Sequence, residues 1–499
     1  MKIYQLLLSA LMLSGCSDFL DLNPTDRFTE TTFWQTEEHA NAGLTATYSA
    51  LLNVYGSNIP ATLDAITPNF YSYDNQSGAG NIARGIHDAA NTGIINSRWG
   101  NAYQGIGRAN SVITRVPGIT MDDTRKKLVI AEAQFLRAFF YFSLWSVYGG
   151  VPLITEPPVK EQGELPRNTA EEIEKQMLTD LDAAIPVLPA SIAAANKGRA
   201  GKAAALALKA RILLYKGQWA AAAETSKALL DLKSNALFPD YRGLFMPENE
   251  GNTEILLDVQ YKQPEFTHSN DIQFDQFNSF APTQNLVDEY EALDGKSIQE
   301  SSLYDPAKPF ESRDPRLKST VITIGSQFKG KPVVTTTYPQ TGYGLKKGTT
   351  YRDNEAPPAG KVDNISDLNV VLIRYAEVLL TYAEAQNEAV GPDASVYAAV
   401  NQVRKRAGMP DFPAGLSQAA MRGRLRHERR IEFVGEGQYY FDLKRWKTAD
   451  VDLNTDVTNY LRKVVDNRSF NPQRDYLWPI PTTALQTNAN LAQNPNYNR

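Results

Sequence analysis

Residues 200–232 read AGKAAALALKARILLYKGQWAAAAETSKALLDL, and this stretch indicates the fold class. Its apolar side chains recur at the three- and four-residue spacing of a helix face, before and after a break at Gly217-Gln218. The inward positions of the first helix are Leu206, Ala210, Leu213 and Leu214, and those of the second are Ala222, Ala223 and Leu229. The stretch therefore predicts two helices joined by a tight turn, with alanines that let the helices approach closely.

The same periodicity recurs along the chain and predicts a mainly α fold. The other segments with this pattern are 129–150, 171–189, 371–389 and 394–408. The helix at 171–189 is expected to be capped by Asn168 or Thr169, and the helix at 371–389 to place Leu372 on its inner face. Helices are thus predicted to dominate residues 36–232 and 366–447. Their irregular pairing resembles the tetratricopeptide repeat, an α-solenoid of stacked helix pairs.

The segment between the two helical regions, 235–365, is rich in loops. EILLDVQY (254–261) and STVITI (319–324) are typical of short β-strands. Five aromatic residues of this segment are predicted to order the loops or to contact a ligand or partner: Phe266, Phe274, Phe277, Tyr338 and Tyr343. We expect the helical scaffold, this loop and β-hairpin insert and a C-terminal segment, 448–499, to form a single domain of residues 16–499.

The first residues predict a lipoprotein. Lys2 precedes an apolar run, 3–13, which is shorter than the roughly 20 residues of a bilayer span and is typical of a signal peptide. Leu13-Ser14-Gly15-Cys16 then matches the bacterial lipobox and contains the only cysteine of the chain. We expect residues 1–15 to be removed and Cys16 to carry the lipid anchor. The alternative is an ordinary signal peptide followed by an incidental cysteine.

Charge and motif content argue against several function classes. The net charge is −5, and no basic stripe typical of nucleic-acid binding is present. The four histidines are scattered, and neither a nucleophile elbow nor a glycine-rich phosphate loop occurs. Glu428 and Glu432 lie one helical turn apart among arginines, so ion pairing is a better interpretation than glycoside hydrolysis. We therefore expect a protein that is not an enzyme and needs no cofactor or metal ion.

One loop combines aromatic rings, which can pack on a flat apolar face of a ligand, with polar side chains that can form hydrogen bonds with it. The loop PNFYSYDNQSGAGNIARG (68–85) supplies the candidates Tyr71, Tyr73, Asp74, Asn75 and Arg84. Trp99 shares a helix face with Tyr103 and Ile106. It is therefore either a core residue or, placed in the first helical turn, a side chain that reaches a surface groove. The other tryptophans of the helical motifs are expected in the core: Trp145, Trp219, Trp446 and Trp478.

Several long motifs, in fixed order, resemble the SusD/RagB family. They are LIRYAEVLLTYAEAQNEA (372–389), VNQVRKRAGMP (400–410), LRHERRIEFVGEGQYYFDLKRW (425–446) and YLWPIPTTALQTNANLAQNPNY (476–497). Residues 16–51, which begin CSDFLDLNPTDRF, resemble the amino terminus of the family. The resemblance covers nearly the whole chain.

The resemblance implies an outer-membrane lipoprotein that is exposed at the cell surface. Its scaffold would contain about four tetratricopeptide-like helix pairs that support a loop-rich face. It would bind glycans and deliver them to a SusC-like TonB-dependent transporter. The resemblance also implies that Trp99 lines the sugar site, with Arg84 and Gln104 as supporting residues. Two alternatives of the same architecture are a peptide-capturing protein, as in the RagB branch, and a structural lid with little affinity of its own.

Overall fold

The computed structural model describes residues 33–74, 77–90, 93–362 and 364–498. The expected signal peptide at 1–15, the lipidation site Cys16 and the candidate binding residue Asn75 lie outside the described residues. The expectations placed on them remain predictions.

The helices and strands alternate irregularly along the chain. The α-helices are α1 (Glu37–Ser49), α2 (Leu51–Val54), α3 (Ile59–Asp64), α4 (Ala79–Ala83), α5 (Gly93–Arg115), α6 (Asp123–Tyr148), α7 (Ala170–Ala184), α8 (Lys202–Tyr215), α9 (Trp219–Leu232), α10 (Asn270–Phe274), α11 (Gln284–Glu289), α12 (Pro315–Thr320), α13 (Tyr375–Val390), α14 (Ala394–Arg406), α15 (Gln418–Glu432), α16 (Tyr439–Trp446), α17 (Ala449–Asp452) and α18 (Thr482–Thr487). The strands are β1 (Phe70–Tyr71), β2 (Ile255–Val259), β3 (Ala281–Pro282), β4 (Val321–Ile322), β5 (Gln327–Phe328), β6 (Lys331–Pro332), β7 (Gly344–Leu345), β8 (Val370–Arg374), β9 (Asp456–Thr458) and β10 (Val464–Asn467).

The long helices form a stack in which each packs on a neighbour. Helix α5 packs along α6, α6 on α7, and α8 on α9. The stack continues across the insert, because α13 packs directly on α9 although residues 233–374 separate the two helices in the chain. Helices α14 and α15 both pack on α13. This arrangement confirms the predicted mainly α, tetratricopeptide-like fold with short strands.

The helix–turn–helix that indicated the fold class forms as predicted. Helix α8 ends at Tyr215, the chain turns at Gly217 with φ of 70°, and α9 begins at Trp219. The predicted inward residues are buried: Leu206, Ala210, Leu213, Leu214, Ala222, Ala223 and Leu229. At the start of α7 the hydroxyl of Thr169 accepts a hydrogen bond from the Glu172 N–H, so Thr169 rather than Asn168 is the cap.

The predicted helix at 371–389 begins later than expected, and the placement of Leu372 on a helix face is wrong. Residues 370–374 form strand β8, which pairs antiparallel with β2 of the insert. Helix α13 then starts at Tyr375, whose N–H donates to the Glu254 carbonyl. Local periodicity does not detect this boundary, because the strand is stabilised by a partner more than a hundred residues away in the chain.

The strand predicted at 254–261 is confirmed as β2. The strand predicted at 319–324 is confirmed only at Val321–Ile322, because residues up to Thr320 belong to α12. The strands of the described residues are arranged as two-stranded antiparallel pairs, which join loops rather than build a continuous sheet.

Glu432, the last residue of α15, anchors a buried cluster of ion pairs. Its carboxylate accepts hydrogen bonds from Arg316 of α12 at 2.9 Å, from Arg374 at the end of β8 at 2.6 Å, and from Arg406 of α14. Arg374 also donates to Glu254 at 2.8 Å, which links β2 to the cluster. These ion pairs connect the insert to the helical scaffold.

Glu428, one turn before Glu432, belongs to the same cluster. It contacts Arg316 at 2.5 Å and Arg404 of α14 at 2.8 Å. The predicted ion pairing of both glutamates is therefore confirmed, but their partners come from other elements. The arginines adjacent in α15 point elsewhere: Arg429 pairs with Asp442, and Arg430 pairs with Glu289.

Helix α6 lies at the centre of the largest core. Among the described helices it alone is long and apolar enough to cross a membrane, and 78% of its apolar window is buried inside the protein. It packs between α5 and α7, which gives its apolar surface a protein partner on both sides.

The C-terminal segment packs back on the early helices. The Trp478 ring is fully buried, and its Nε1–H donates to the Tyr440 hydroxyl at 2.9 Å. The Asn494 amide donates to the carbonyls of Tyr148 and Trp478, while Arg167 donates to the Asn494 side chain at 2.8 Å. These hydrogen bonds hold residues 478–494 against the end of α6.

Candidate functional site

Trp99 lies on the face of α5 that opens into a surface cleft. Helix α5 begins at Gly93, so Trp99 occupies its second turn, and the prediction of a first-turn position is wrong. The ring is partly buried and contacts Tyr148 edge-on, with centroids 5.1 Å apart, and Tyr103 at 5.2 Å. The indole is thus supported from below by the core while one part reaches the cleft, which combines the two interpretations left open by the sequence.

The cleft next to Trp99, here called the Trp99 cleft, has a volume of about 490 Å³. One wall is α5, the second is the loop 152–163, and the third is residues 483–491 in and after α18. A Cβ at Gly107 would lie 2.9 Å from Pro158 Cγ, so glycine at this position allows the loop to approach the helix. The volume lies in the range of small-molecule sites, about 300–1,000 Å³.

The lining of the Trp99 cleft combines aromatic and apolar surface with a polar rim. Its apolar residues include Tyr103, Ile106, Pro152, Ile154 and Leu491, and its polar residues are Gln162, Thr483, Thr487 and Asn488. Thr483 and Thr487 are exposed, so their hydroxyls are accessible to a ligand. No Asp, Glu, Lys or Arg is among the described residues that line the cleft, which therefore suits a neutral ligand.

The tyrosines beneath the cleft are held rigidly. Tyr103 donates its hydroxyl hydrogen to the Pro152 carbonyl at 2.9 Å, and Tyr148 donates to the Ile95 carbonyl. Burial raises the pKa of Tyr103 well above its usual range, and burial has the same effect on the pKa of Tyr148. Both side chains are therefore neutral hydrogen-bond donors that fix the loop 152–163 and the start of α5.

Two other predicted residues, Arg84 and Tyr71, lie at a separate place. Arg84 Nε donates to Asp466 Oδ1 at 2.7 Å, and Asp466 also pairs with Arg468. Tyr71, in β1, lies close enough to Arg468 to affect its pKa, which burial lowers to about 10. The structure thus brings Tyr71 and Arg84 together around Arg468, and neither residue lines the Trp99 cleft.

Two exposed aromatic side chains, Tyr73 and Phe277, lie close in sequence to the paired strands β1 and β3. Strand β1 pairs with β3 through Phe70 and Pro282 and through Tyr71 and Ala281. Tyr73, two residues after β1, is 47% exposed, and Phe277, four residues before β3, is also 47% exposed. Asp74 follows Tyr73, and its carbonyl accepts a hydrogen bond from the Ser72 hydroxyl at 2.9 Å. Tyr73 and Phe277 are thus exposed aromatic side chains near the β1–β3 pair, and neither lines the Trp99 cleft.

The remaining predictions have mixed outcomes. Gln104 is exposed on α5, but it lies outside the residues that line the Trp99 cleft. Phe266 is exposed like Phe277, whereas Phe274, Tyr338 and Tyr343 are buried. Of the four tryptophans expected in the core, Trp478 is fully buried, and the other three are only partly buried: Trp145, Trp219 and Trp446. The core assignment is thus confirmed in full for Trp478, while the other three tryptophans pack against the core and keep part of their surface exposed.

Sequence reasoning missed the polar residues of the cleft, which are Gln162, Thr483, Thr487 and Asn488. Three of the four belong to the C-terminal wall, at residues 483–488. Residues 482–494 are unusually rich in threonine, asparagine and glutamine, which was the available signal. Nothing in the sequence relates this segment to α5, because the contact depends on how the C-terminal segment folds back.

Comparison with known proteins places the chain in a family. A sequence profile described as SusD family matches residues 248–497, and a profile described as "Starch-binding associating with outer membrane" matches residues 18–214. The chain belongs to the SusD family.

Individual relatives agree with this assignment. The chain is 26% identical to SusD-like protein P2 of Formosa agariphila, and the match spans 100% of both chains. It superposes on a SusD-like carbohydrate-binding protein of Bacteroides fragilis with a TM-score of 0.84 and 26% identity, over 92% of this chain and 100% of the other. It is also similar to a laminarin-binding SusD-like protein, with a TM-score of 0.72 and 26% identity, over 93% of this chain and 100% of the other.

Proposed function

We propose that this protein binds an oligosaccharide or polysaccharide in the Trp99 cleft and does not alter it chemically. The observation that carries the proposal is the partly exposed Trp99 indole in an open cleft of about 490 Å³ whose rim carries hydroxyl and amide groups. Membership of the SusD family supports the same class of ligand, since two structural relatives are described as carbohydrate-binding and laminarin-binding proteins.

The chemistry of the cleft fits a neutral sugar. The C–H face of a pyranose ring packs against an indole, and the exposed Thr483 hydroxyl can donate and accept hydrogen bonds. The Thr487 hydroxyl donates to the backbone of α18, so it offers an acceptor to a ligand. The indole is already held by Tyr148 and Tyr103, so few rotations are lost on binding.

We propose further that the protein works at the cell surface as a lipoprotein. Lipid attachment at Cys16 would tether the domain to the outer membrane, where it would deliver captured glycans to a SusC-like TonB-dependent transporter. The lipobox and the profile that names the outer membrane support this location. The long helices offer extended faces on which a transporter could dock.

The binding proposal is tested by calorimetric titration of the lipid-free protein with a panel of neutral polysaccharides, their oligosaccharides and peptide digests. We expect saturable heat with one glycan family, and we expect Trp99→Ala to abolish it. The matched control is Trp219→Ala, which removes another partly buried tryptophan near the start of a helix but far from the cleft.

Because Trp99 also packs on the core, Trp99→Ala should cost about 1–3 kcal/mol of stability while leaving the protein folded. Equal loss of glycan binding in both tryptophan variants would contradict the site. Heat with peptides alone would assign the protein to peptide capture, and the absence of any heat would favour a structural lid.

The anchoring proposal is tested by Cys16→Ala. We expect the variant to lose palmitate labelling and to leave the outer-membrane fraction, because no other cysteine can take the lipid. A variant that still sediments with the outer membrane and still labels with palmitate would contradict the anchor.

A further inference from the structure

A second cleft lies at the C-terminal end of α6. None of its lining residues also lines the Trp99 cleft. Its volume is about 410 Å³. It is formed by the end of α6, by α16 and the residue after it, and by the pair Tyr476 and Leu477. Its aromatic walls are Trp145, Tyr215, Phe441 and Tyr476. Trp145, Tyr215 and Tyr476 are only partly buried, so their aromatic surface is available inside the cleft, whose volume can hold a sugar.

Every charged side chain that lines this cleft is basic. The four are Lys216, Lys444, Arg445 and Lys447, and no carboxylate is among the described lining residues. We call it the lysine cleft. Ala170, the first residue of α7, also lines it and adds the positive end of a helix dipole. Although the net charge of the protein is −5, the charged residues that line this cleft are all positive.

Two of the four basic residues are already neutralised by carboxylates. Arg445 contacts Glu384 at 2.6 Å and Asp442 at 2.7 Å, and Lys216 contacts Glu174 at 3.0 Å. Lys444 and Lys447 differ, because neither has a carboxylate within ion-pairing distance in the described part of the chain. Lys447 is exposed and lies over the Tyr476 ring, with Nζ 4.2 Å from its centroid.

Lys444 is the more unusual of the two lysines. Its residue surface is 7% exposed, and its ammonium group donates one hydrogen bond, to the Ser146 carbonyl at 3.3 Å. Burial, together with the positive charges of Lys447 and Arg98, lowers the pKa of Lys444 to about 7, while Asp475 acts in the opposite direction. Lys444 Nζ also lies 5.1 Å from the Tyr440 ring centroid, but no carboxylate of the described residues pairs with it, so a bound anion would stabilise its charge.

We propose that the lysine cleft is a second binding site that takes an acidic sugar, with the carboxylate or sulfate group held by Lys444 and Lys447 and the ring packed on the aromatic walls. The two clefts would then differ in ligand charge. The Trp99 cleft has no charged lining residue, whereas the lysine cleft has only basic ones. This proposal concerns different residues from the proposed function and does not depend on it.

The test uses three small probes in calorimetry at near-neutral pH: glucuronate, glucose 6-sulfate and glucose. We expect the two acidic sugars to bind more tightly than glucose, because a charge-assisted hydrogen bond is added. Lys447→Gln and Lys444→Met should each weaken the acidic sugars by about tenfold or more and leave glucose unchanged. Lys308→Met, at an exposed lysine of the insert, is the matched control for loss of one charge.

Folding and binding effects are separable. Lys447 is exposed, so its substitution leaves the core intact, and Lys444→Met should not lower the melting temperature, because it replaces a buried unpaired charge by an apolar chain. Trp99→Ala should leave acidic-sugar binding unchanged. Equal affinity for glucose and the acidic sugars, or unchanged affinity in both lysine variants, would overturn the proposal. Binding of a hexaglutamate peptide without binding of any sugar would overturn it in favour of a protein partner.

Discussion

Glu432 shows how a single residue connects parts of the chain that are distant in sequence. Its side chain is fully buried and is contacted by arginines from α12, β8 and α14. Ion pairing of this residue was predictable from the arginines around it in LRHERRIEFVGEG. The identity of the partners was not, because the neighbouring Arg429 and Arg430 point towards other elements and the true partners depend on tertiary packing.

We predict that Glu432→Gln destabilises the protein by about 3–5 kcal/mol, because it leaves buried guanidinium groups without their shared counter-charge. Urea unfolding followed by circular dichroism measures this change. Glu311→Gln is the matched control, since Glu311 pairs with Lys308 on the surface at 3.4 Å and should change stability by less than about 0.5 kcal/mol. Similar midpoints for the two variants would contradict the structural importance of the cluster.

At the scale of elements, α5 both supports the core and lines the Trp99 cleft. Its existence was predictable from the spacing of Trp99, Tyr103 and Ile106, but its start at Gly93 was not, because the glycine- and asparagine-rich residues before Trp99 do not favour a helix. The misplaced start of α13 has a related cause, since β8 forms only with β2. In both cases tertiary contacts determined a boundary that local propensity did not indicate.

Two glycines of α5 allow the packing of this helix on the core to be tested, with one of them as the control. A Cβ at Gly105 would lie 2.6 Å from the Phe140 ring of α6, so Gly105→Ala should force the helices apart and cost about 1–3 kcal/mol. Gly100, in the same helix, has nothing within 4 Å of an added Cβ, and Gly100→Ala should stabilise the helix by about 0.5–1 kcal/mol. Thermal unfolding of both variants checks this, and a stabilised Gly105→Ala would contradict the close helix crossing.

At the scale of the whole molecule, arginines hold the pKa values of several carboxylates below the usual range, and Glu384 and Glu432 among them are buried. Burial alone would raise the pKa of Glu384, but Arg445 and Arg429 outweigh it and lower the pKa to about 2. The pKa of Glu289 is likewise lowered to about 2, mainly by Arg430 against the effect of burial. The pKa of Glu432 is lowered in the same way by Arg406, Arg374 and Arg316.

These shifts predict acid sensitivity. A carboxylate whose pKa is lower in the folded state contributes stability above its unfolded pKa of about 4.5, and this contribution is lost as the pH falls towards the folded value. We expect the free energy of unfolding to fall by several kcal/mol between pH 5.5 and pH 3, as measured by urea titration. Glu384→Gln should be less stable at pH 7 and should lose less between pH 5.5 and pH 3. A denaturation midpoint at pH 3 equal to that at pH 7 would contradict the prediction.

The candidate sites were predictable to different extents at this scale. The spacing of Trp99 predicted a core face and the family resemblance implied a binding role, while the aromatic loop at 70–74 followed from composition. The polar wall at 483–488 and the lysine cleft did not. Each is built from segments that come together only when the C-terminal segment packs against α5, α6 and α16, and no local pattern in the sequence marks such convergence.

The third wall of the Trp99 cleft comes from residues 483–491, at the opposite end of the chain from α5. Closing so large a loop is entropically unfavourable until most of the scaffold exists, so this wall should dock in one of the last steps of folding. An incompletely folded molecule would possess most of its helices and yet lack a ligand site. A column of immobilised ligand would therefore retain only fully folded molecules, and ligand binding would begin only after residues 483–491 have docked.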